Sequence, residues 1–239
     1  MHVGVIGAGM MGHGMAANLL KHGHEVSVIA HRNRGPVEDL VAKGAVEAKT
    51  LQEIARADVI LLCVTTSKVV EETIAALKPH LRAGQIILDS GTSAPDATRR
   101  LAHGLETQGI AYADIPLTGG PEQAEQGVLG VLCGASEATF IRIRPLLSCF
   151  ATTIRHFGPP GSGHTAKLIS NYLVTGMVAL VAEAFGAAHK AQIGWQDLYE
   201  VMLNGSGNSG VLRKMVEPAL KGDFDGYRFA LANAAKDIS

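Results

Sequence analysis

Lys167 stands out as a residue that could do chemistry. It is the only Lys or Arg between Arg155 and Lys190, and it falls early in the apolar stretch SGHTAKLISNYLVTGMVALVAEAFGAAHKAQI. Burial there disfavours the ammonium form, and the positive end of a helix pushes the same way. A lysine tuned in this manner can shuttle a proton; one that snorkels from a helix end would be inert. Asn171 follows four residues later, one helical turn on, so both side chains are expected on one face. His164, three residues before Lys167, reads more readily as a surface histidine at the helix start than as a substrate contact.

A second constellation lies at the other end of the chain. Gly7, Gly9 and Gly12 form G-x-G-x-x-G directly after the apolar run His2 to Ile6 and before a stretch with helical spacing. Strand, glycine turn and helix in that order are the context in which this motif means dinucleotide binding. The glycines give a tight turn, an open approach for a pyrophosphate and close helix packing, while the helix start faces the phosphates. Ala8, Met10 and Met11 complete the turn. The next strand, EVSVIA, ends in Ala30-His31-Arg32-Asn33-Arg34 with no acid before Glu38. An acid there would hold a ribose 2′-hydroxyl; Arg32 and Arg34 instead suit a 2′-phosphate. NADP(H) is therefore expected over NAD(H), which remains possible, with His31 beside the same group.

These residues need a scaffold that brings strand ends together. Apolar strands alternate with helical segments to about residue 160: DVILLCV runs into Val64 and Thr65, QIILD into Ser90 to Ser93, and GIAYADIP into Leu117 to Pro121. Such alternation predicts an α/β fold with a doubly wound, Rossmann-type sheet, its ligands at the carboxyl edge. Ser93 is placed to cap the helix that begins near Pro95. Gly158-Pro159-Pro160-Gly161 reads as a hinge, after which only helical patterns follow. The division expected is 1–160 for the nucleotide-binding domain and 161–239 for an all-helical substrate and dimerisation domain opening on a long helix.

Composition narrows the classes. The 21 basic and 22 acidic residues nearly balance, with no basic block for nucleic acid or an anionic membrane. Cys63, Cys133 and Cys149 are far apart in apolar surroundings and suit buried thiols of a cytoplasmic protein. His22 and His24 have no third ligand nearby, so no metal site is expected. Leu168 to Ala182 is uncharged but short, and Ser170, Asn171 and Thr175 interrupt it, which favours a buried helix over a membrane span. Glu122 and Glu125 read as solvated.

Five stretches together resemble one family, the β-hydroxyacid dehydrogenases, which include 3-hydroxyisobutyrate dehydrogenase and relatives of 6-phosphogluconate dehydrogenase. Residues 5–18, VIGAGMMGHGMAAN, look like the N-terminal signature, with Ala8 for its usual Leu. Asp89 to Pro95 resembles D-x-S-T-x-x-P, with Gly91 for Ser and Thr92 kept. Residues 114–120, DIPLTGG, are similar to D-x-P-x-S-G-G, with Thr118 for Ser. Residues 161–171, GSGHTAKLISN, resemble G-x-G-x-x-x-K-x-x-N-N, with Ser170 for the first Asn. Phe229 to Ile238 resembles F-x-x-x-L-x-x-K-D-L, with Leu231 two positions early.

The resemblance implies Lys167 as catalytic acid/base, with Thr118, Gly119, Gly120 and Asn171 holding the substrate. It also implies Thr92 as a cofactor contact and Lys236 closing over cofactor and substrate. A hydroxyl and exposed amides at 118–120 suit a carboxylate. Family members continue past K-D-L with several helices, so the second domain is expected to be truncated relative to them.

The leading expectation is an NADP-preferring, hydride-transferring oxidoreductase of a small β-hydroxy acid or its semialdehyde, working as a homodimer or homotetramer. Two alternatives are an imine reductase-like enzyme, against which Lys167 argues, and a non-catalytic NADP(H)-binding module.

Overall fold

Short apolar runs become strands of one sheet because helices cover both its faces. In the computed structural model, β1 (His2–Ile6), β2 (Glu25–Ile29), β3 (Val46–Ala48), β4 (Val59–Leu62), β5 (Ile86–Asp89) and β6 (Ala111–Asp114) run parallel in the order β3-β2-β1-β4-β5-β6. Residues 1–31, 33–227, 234, 235 and 237 are described. Alternate side chains enter opposite cores. Leu61 and Leu88 pack with Val3, Val5, Met15 and Leu19 on one face, whereas Ile60, Leu62 and Ile87 pack with Ile74, Leu77 and Tyr112 on the other.

Beyond β6 the sheet is mixed. β7 (Leu117–Thr118) and β6 both pair antiparallel with β8 (Leu129–Gly134), and β9 (Ala151–Gly158) pairs parallel with β8. The apolar runs VLGVLCG and TTIRHFG supply β8 and β9, but strand–helix alternation does not announce the antiparallel direction of β8. The connecting helices are α1 (Met10–Lys21), α2 (Gly35–Ala42), α3 (Leu51–Ile54), α4 (Ser67–Leu77), α5 (Pro95–Glu106), α6 (Pro121–Gln126) and α7 (Glu137–Leu147). Thr50, Thr66 and Ser136 cap α3, α4 and α7 through their hydroxyls, as their types favour. Ser93 does not cap α5: Ala94 holds that position, and the Ser93 hydroxyl donates to Asp89 instead.

The chain divides into two compact units, Met1–Lys167 and Leu168–Ser239. The 29-residue α8 (Ser162–Lys190) supplies residues to both. Its first turn is held by the sheet, because the amides of Gly161 and His164 donate to Asp114. By length and composition alone α8 could cross a bilayer. The buried helix expected at Leu168 to Ala182 is not found: among the described residues little of its apolar stretch is covered, with Ile169, Tyr172, Leu173 and Leu180 exposed. In the second unit α9 (Trp195–Asn204) and α10 (Gly210–Leu220) build a small core of Phe185, Tyr199, Leu212 and Val216, with Trp195 edge-on to Phe185.

Candidate active site

The glycine turn follows β1, and each glycine has its own physical reason. Gly7 has φ +98°, and a Cβ there would lie 2.2 Å from the carbonyl oxygen of Cys63 just beyond β4. A Cβ on Gly12 would meet the oxygen of Gly7 at 2.0 Å. Both positions therefore exclude a side chain so that turn, strand and helix can touch. Gly9 is different, for nothing lies within 4 Å of where its Cβ would be. Open space above the start of α1, at the positive end of that helix, fits a pyrophosphate. The strand order reverses between β1 and β4, where ligands of open α/β sheets bind.

A cleft of about 750 Å³ opens at that switch point. Gly7, Ala8, Gly9, His31, Val64 and Thr65 line it, together with apolar Ile6, Ile29 and Val37. Met10 is exposed at the first position of α1, and Met11 and Gly12 continue its first turn. Arg32 lies outside the described residues. Arg34 is not on the cleft lining; its guanidinium pairs with Glu47 at 3.0 Å and with Glu38 at 3.4 Å. Lys49 and Arg34 together hold the Glu47 carboxyl below its ordinary range. The acid that holds Arg34 most closely thus comes from the adjacent β3 and not from the end of β2.

The substrate-motif residues sit at the mixed edge. Thr118 is exposed on β7, and Gly119 takes φ +103°, a conformation glycine adopts without strain. Of the amides expected to be free for a carboxylate, that of Gly120 is occupied: it donates to the side-chain oxygen of Gln123 at 2.8 Å. Thr92 lies between β5 and α5. Lys167 closes the first unit on α8. Asn171 lies one turn farther in the second unit, where its amide donates to Asp237 Oδ2 at 2.6 Å. Lys236 lies outside the described residues, as do Phe229 and Leu231.

His164 overturns its sequence reading. It is wholly buried, not at the surface, as are Asp89 and Asp114 on either side of it. Asp114 accepts from the amides of Gly161 at 2.6 Å and His164 at 2.7 Å, which caps the helix that carries Lys167. Burial raises the Asp114 carboxyl, opposed by His164 and those two amides. Asp89 accepts from the amide of Gly91 and the hydroxyls of Ser93 and Tyr112. Burial and the neighbouring Asp89 push the Tyr112 phenol well up. The available signal was an acid closing each of two apolar strands at the carboxyl edge of the sheet.

Sequence reading also missed a joint between the helices behind the two halves of the site. Asn18 of α1 is buried and donates to the main-chain oxygens of Gly14, Ala124 and Glu125, the last two in α6. Glu125, expected to be solvated, pairs with His13. α6 begins directly after the 118–120 loop, so the glycine helix and that loop share a support.

Comparison with known proteins agrees with this geometry. Residues 2–158 match the family model described as the NAD binding domain of 6-phosphogluconate dehydrogenase. Residues 161–239 match that described as NAD-binding of NADP-dependent 3-hydroxyisobutyrate dehydrogenase. The 2-(hydroxymethyl)glutarate dehydrogenase of Eubacterium barkeri is 34% identical over 99% of this chain and 79% of its own length. The 2-hydroxy-3-oxopropionate reductase of Escherichia coli is 32% identical, covering 97% of this chain and 80% of that protein. A solved structure of Mycobacterium tuberculosis 3-hydroxyisobutyrate dehydrogenase with L-serine superposes at a TM-score of 0.90 and 28% identity, covering 99% of this chain and 83% of that one. Imine reductase structures at 23% and 16% identity share the fold alone. The chain belongs to the β-hydroxyacid dehydrogenases, nicotinamide-dependent oxidoreductases of small hydroxy acids.

Proposed function

We propose that the chain is an NADP-preferring dehydrogenase of a small β-hydroxy acid, or a reductase of its semialdehyde, with Lys167 as acid/base. The observation that carries this reading is the capping of α8 by Asp114: it fixes the helix start bearing Lys167 to the sheet edge from which the 118–120 loop departs. When bound, the nicotinamide accepts or supplies the hydride. The Gly9 turn and the start of α1 hold the pyrophosphate, with Val64 and Thr65 along the cleft and Thr92 as a further cofactor contact. His31, Arg32 and Arg34 meet the 2′-phosphate, for which Arg34 must leave Glu47 and Glu38. The Thr118 hydroxyl and the Gly119 amide hold the substrate carboxylate, joined by Gly120 once Gln123 releases its amide. Asn171 orients the carbinol, and Lys236 closes from the second unit. Lys167 removes the hydroxyl proton in oxidation and returns one to the developing alkoxide in reduction.

NADPH oxidation across a panel of three- and four-carbon semialdehydes tests this. Turnover of at least one, lost by ~10²-fold or more in Lys167→Ala, is the expected result; tight NADPH binding with no turnover, or full activity without Lys167, overturns it. Neutralising Arg32 and Arg34 together should weaken NADPH binding far more than NADH binding. Equal losses would remove the NADP preference.

Ile169, Tyr172, Leu173 and Leu180 expose a large apolar surface along α8, a surface that single chains rarely leave open. A homodimer or homotetramer covering it is the accompanying expectation, read out by light scattering.

A further inference from the structure

Asp89, His164 and Asp114 form a buried row at the carboxyl edge of the sheet, all fully shielded from solvent. The His164 ring lies between the two carboxylates, Nδ1 at 3.8 Å from Asp114 Oδ2 and Nε2 at 3.8 Å from Asp89 Oδ2. Neither distance is a hydrogen bond. The ring bonds elsewhere: Nε2 donates to the Gly91 carbonyl at 3.2 Å, and Nδ1 shares a 2.8 Å hydrogen bond with the Thr98 hydroxyl of α5. Asp114 is walled in, since a Cβ on Gly134 or Gly163 would come within 2.4 to 2.9 Å of its oxygens. Asp89 in turn holds the 90–93 loop through the Gly91 amide and the Ser93 hydroxyl.

One imidazole therefore joins the first turn of α8 to the loop carrying Thr92. It stands three residues before Lys167, which places the two on neighbouring positions of the helix surface. We propose that His164 is a positioning residue for the hydride-transfer reaction: it fixes the Lys167 amine in register with the Gly91–Thr92 cofactor loop, and Thr98 sets the ring. A buried ring satisfied at both nitrogens is held in one orientation. Two buried carboxylates beside it make any vacancy there expensive. This inference rests on Lys167 acting as the acid/base.

The test compares His164→Ala, His164→Gln, Thr98→Val and Lys167→Ala in the full chain. Lysines are reductively ¹³C-methylated and the Lys167 signal, assigned by its loss in Lys167→Ala, is titrated by NMR without cofactor. Steady-state kinetics over pH follow with NADPH. His164→Ala should lower kcat 10- to 100-fold with little change in KM for the semialdehyde. It should also displace both the Lys167 titration and the matching limb of the kcat profile by half a pH unit or more. His164→Gln, which can still donate to Gly91 and bond Thr98, should recover most of the loss. Thr98→Val should show a smaller displacement in the same direction, and it decides the matter if His164→Ala does not fold. Folded variants with wild-type titration and pH profile, whatever their thermal stability, would overturn the positioning role. Full activity in Lys167→Ala would instead remove the acid/base reading itself, so the two failures are told apart.

Discussion

The imidazole Nδ1 of His13 lies 2.6 Å from the carboxylate of Glu125, joining the first turns of the glycine helix to the helix behind the substrate loop. On its other side Nε2 lies 2.6 Å from Asp39 of α2, which also pairs with Lys43. Lys43 and then His13 hold the Asp39 carboxyl below its ordinary range. Both carboxylates are about half exposed, and such pairs are worth about 0–1 kcal/mol. His13→Ala is therefore expected to lower Tm by no more than ~4 °C, measured by calorimetry. A larger drop would mean that the cluster does more than bridge three helices at the surface.

Asn18 should behave differently. It is buried and satisfies three main-chain oxygens, two of which belong to α6. Asn18→Ala leaves those carbonyls without that donor, an effect of about 1–3 kcal/mol. Because α6 follows the 118–120 loop, KM for the hydroxy acid should rise more than Kd for NADPH. Denaturant unfolding and fluorescence binding together would read this; equal effects on both ligands would separate Asn18 from the loop.

The glycines of the turn give a paired prediction. Gly12→Ala forces a Cβ against the Gly7 oxygen, so it should destabilise the fold and weaken cofactor binding together. Gly9→Ala meets no protein atom within 4 Å and should leave Tm within ~2 °C, a near-neutral surface change. Its NADPH affinity should nevertheless fall at least ~10-fold, about 1.4 kcal/mol. Unchanged affinity in Gly9→Ala would move the pyrophosphate elsewhere.

Glu47 offers a direct handle on cofactor choice. Its carboxylate pairs with Arg34 at 3.0 Å and with Lys49 at 2.8 Å. Glu47→Gln should weaken the hold on the Arg34 guanidinium, leaving its 3.4 Å pairing with Glu38, and raise the preference for NADPH over NADH. The gain should vanish when Arg34 is also neutralised. A gain that survives loss of Arg34 would assign it to another residue.

Burial raises all three thiols, that of Cys133 from 9.0 to about 12. The thiolate is the reactive form, so native protein at pH 8 should react with iodoacetamide far more slowly than unfolded protein. The linkage has a definite sign: the folded state keeps the Cys133 proton that the unfolded state gives up. Its contribution to stability is complete below the unfolded value and declines as pH rises from 9.0 towards about 12. Urea titrations at pH 8 and pH 10 should differ accordingly, by less in Cys133→Ala.

Much of the scaffold was legible because its signals are local. The Gly7–Gly12 turn, the apolar runs of β4 and β5 and the hydroxyl caps of α4 and α7 each depend on neighbours a few residues away. What stayed hidden depends on residues far apart in sequence. The pairing of Arg34 with Glu47 comes from β2 and β3 lying side by side, and no window around Arg34 reveals it. The burial of His164 follows from Asp114 and Asp89, about 50 and 75 positions earlier in the sequence, meeting the start of α8. The run VLGVLCG marks β8 as a strand, but its antiparallel direction is invisible to periodicity, since strand direction leaves no mark on alternation.

The glycine turn needs only β1, β4 and the residues between them, for Gly7 packs on Cys63 and Gly12 on Gly7. The parts proposed to receive the pyrophosphate are therefore complete in the polypeptide some hundred residues before Lys167 is added. A chain emerging from the ribosome can acquire this turn first and Lys167 last. Cellular dinucleotide would then act as a folding ligand, stabilising the native form by mass action before the protein has anything to catalyse.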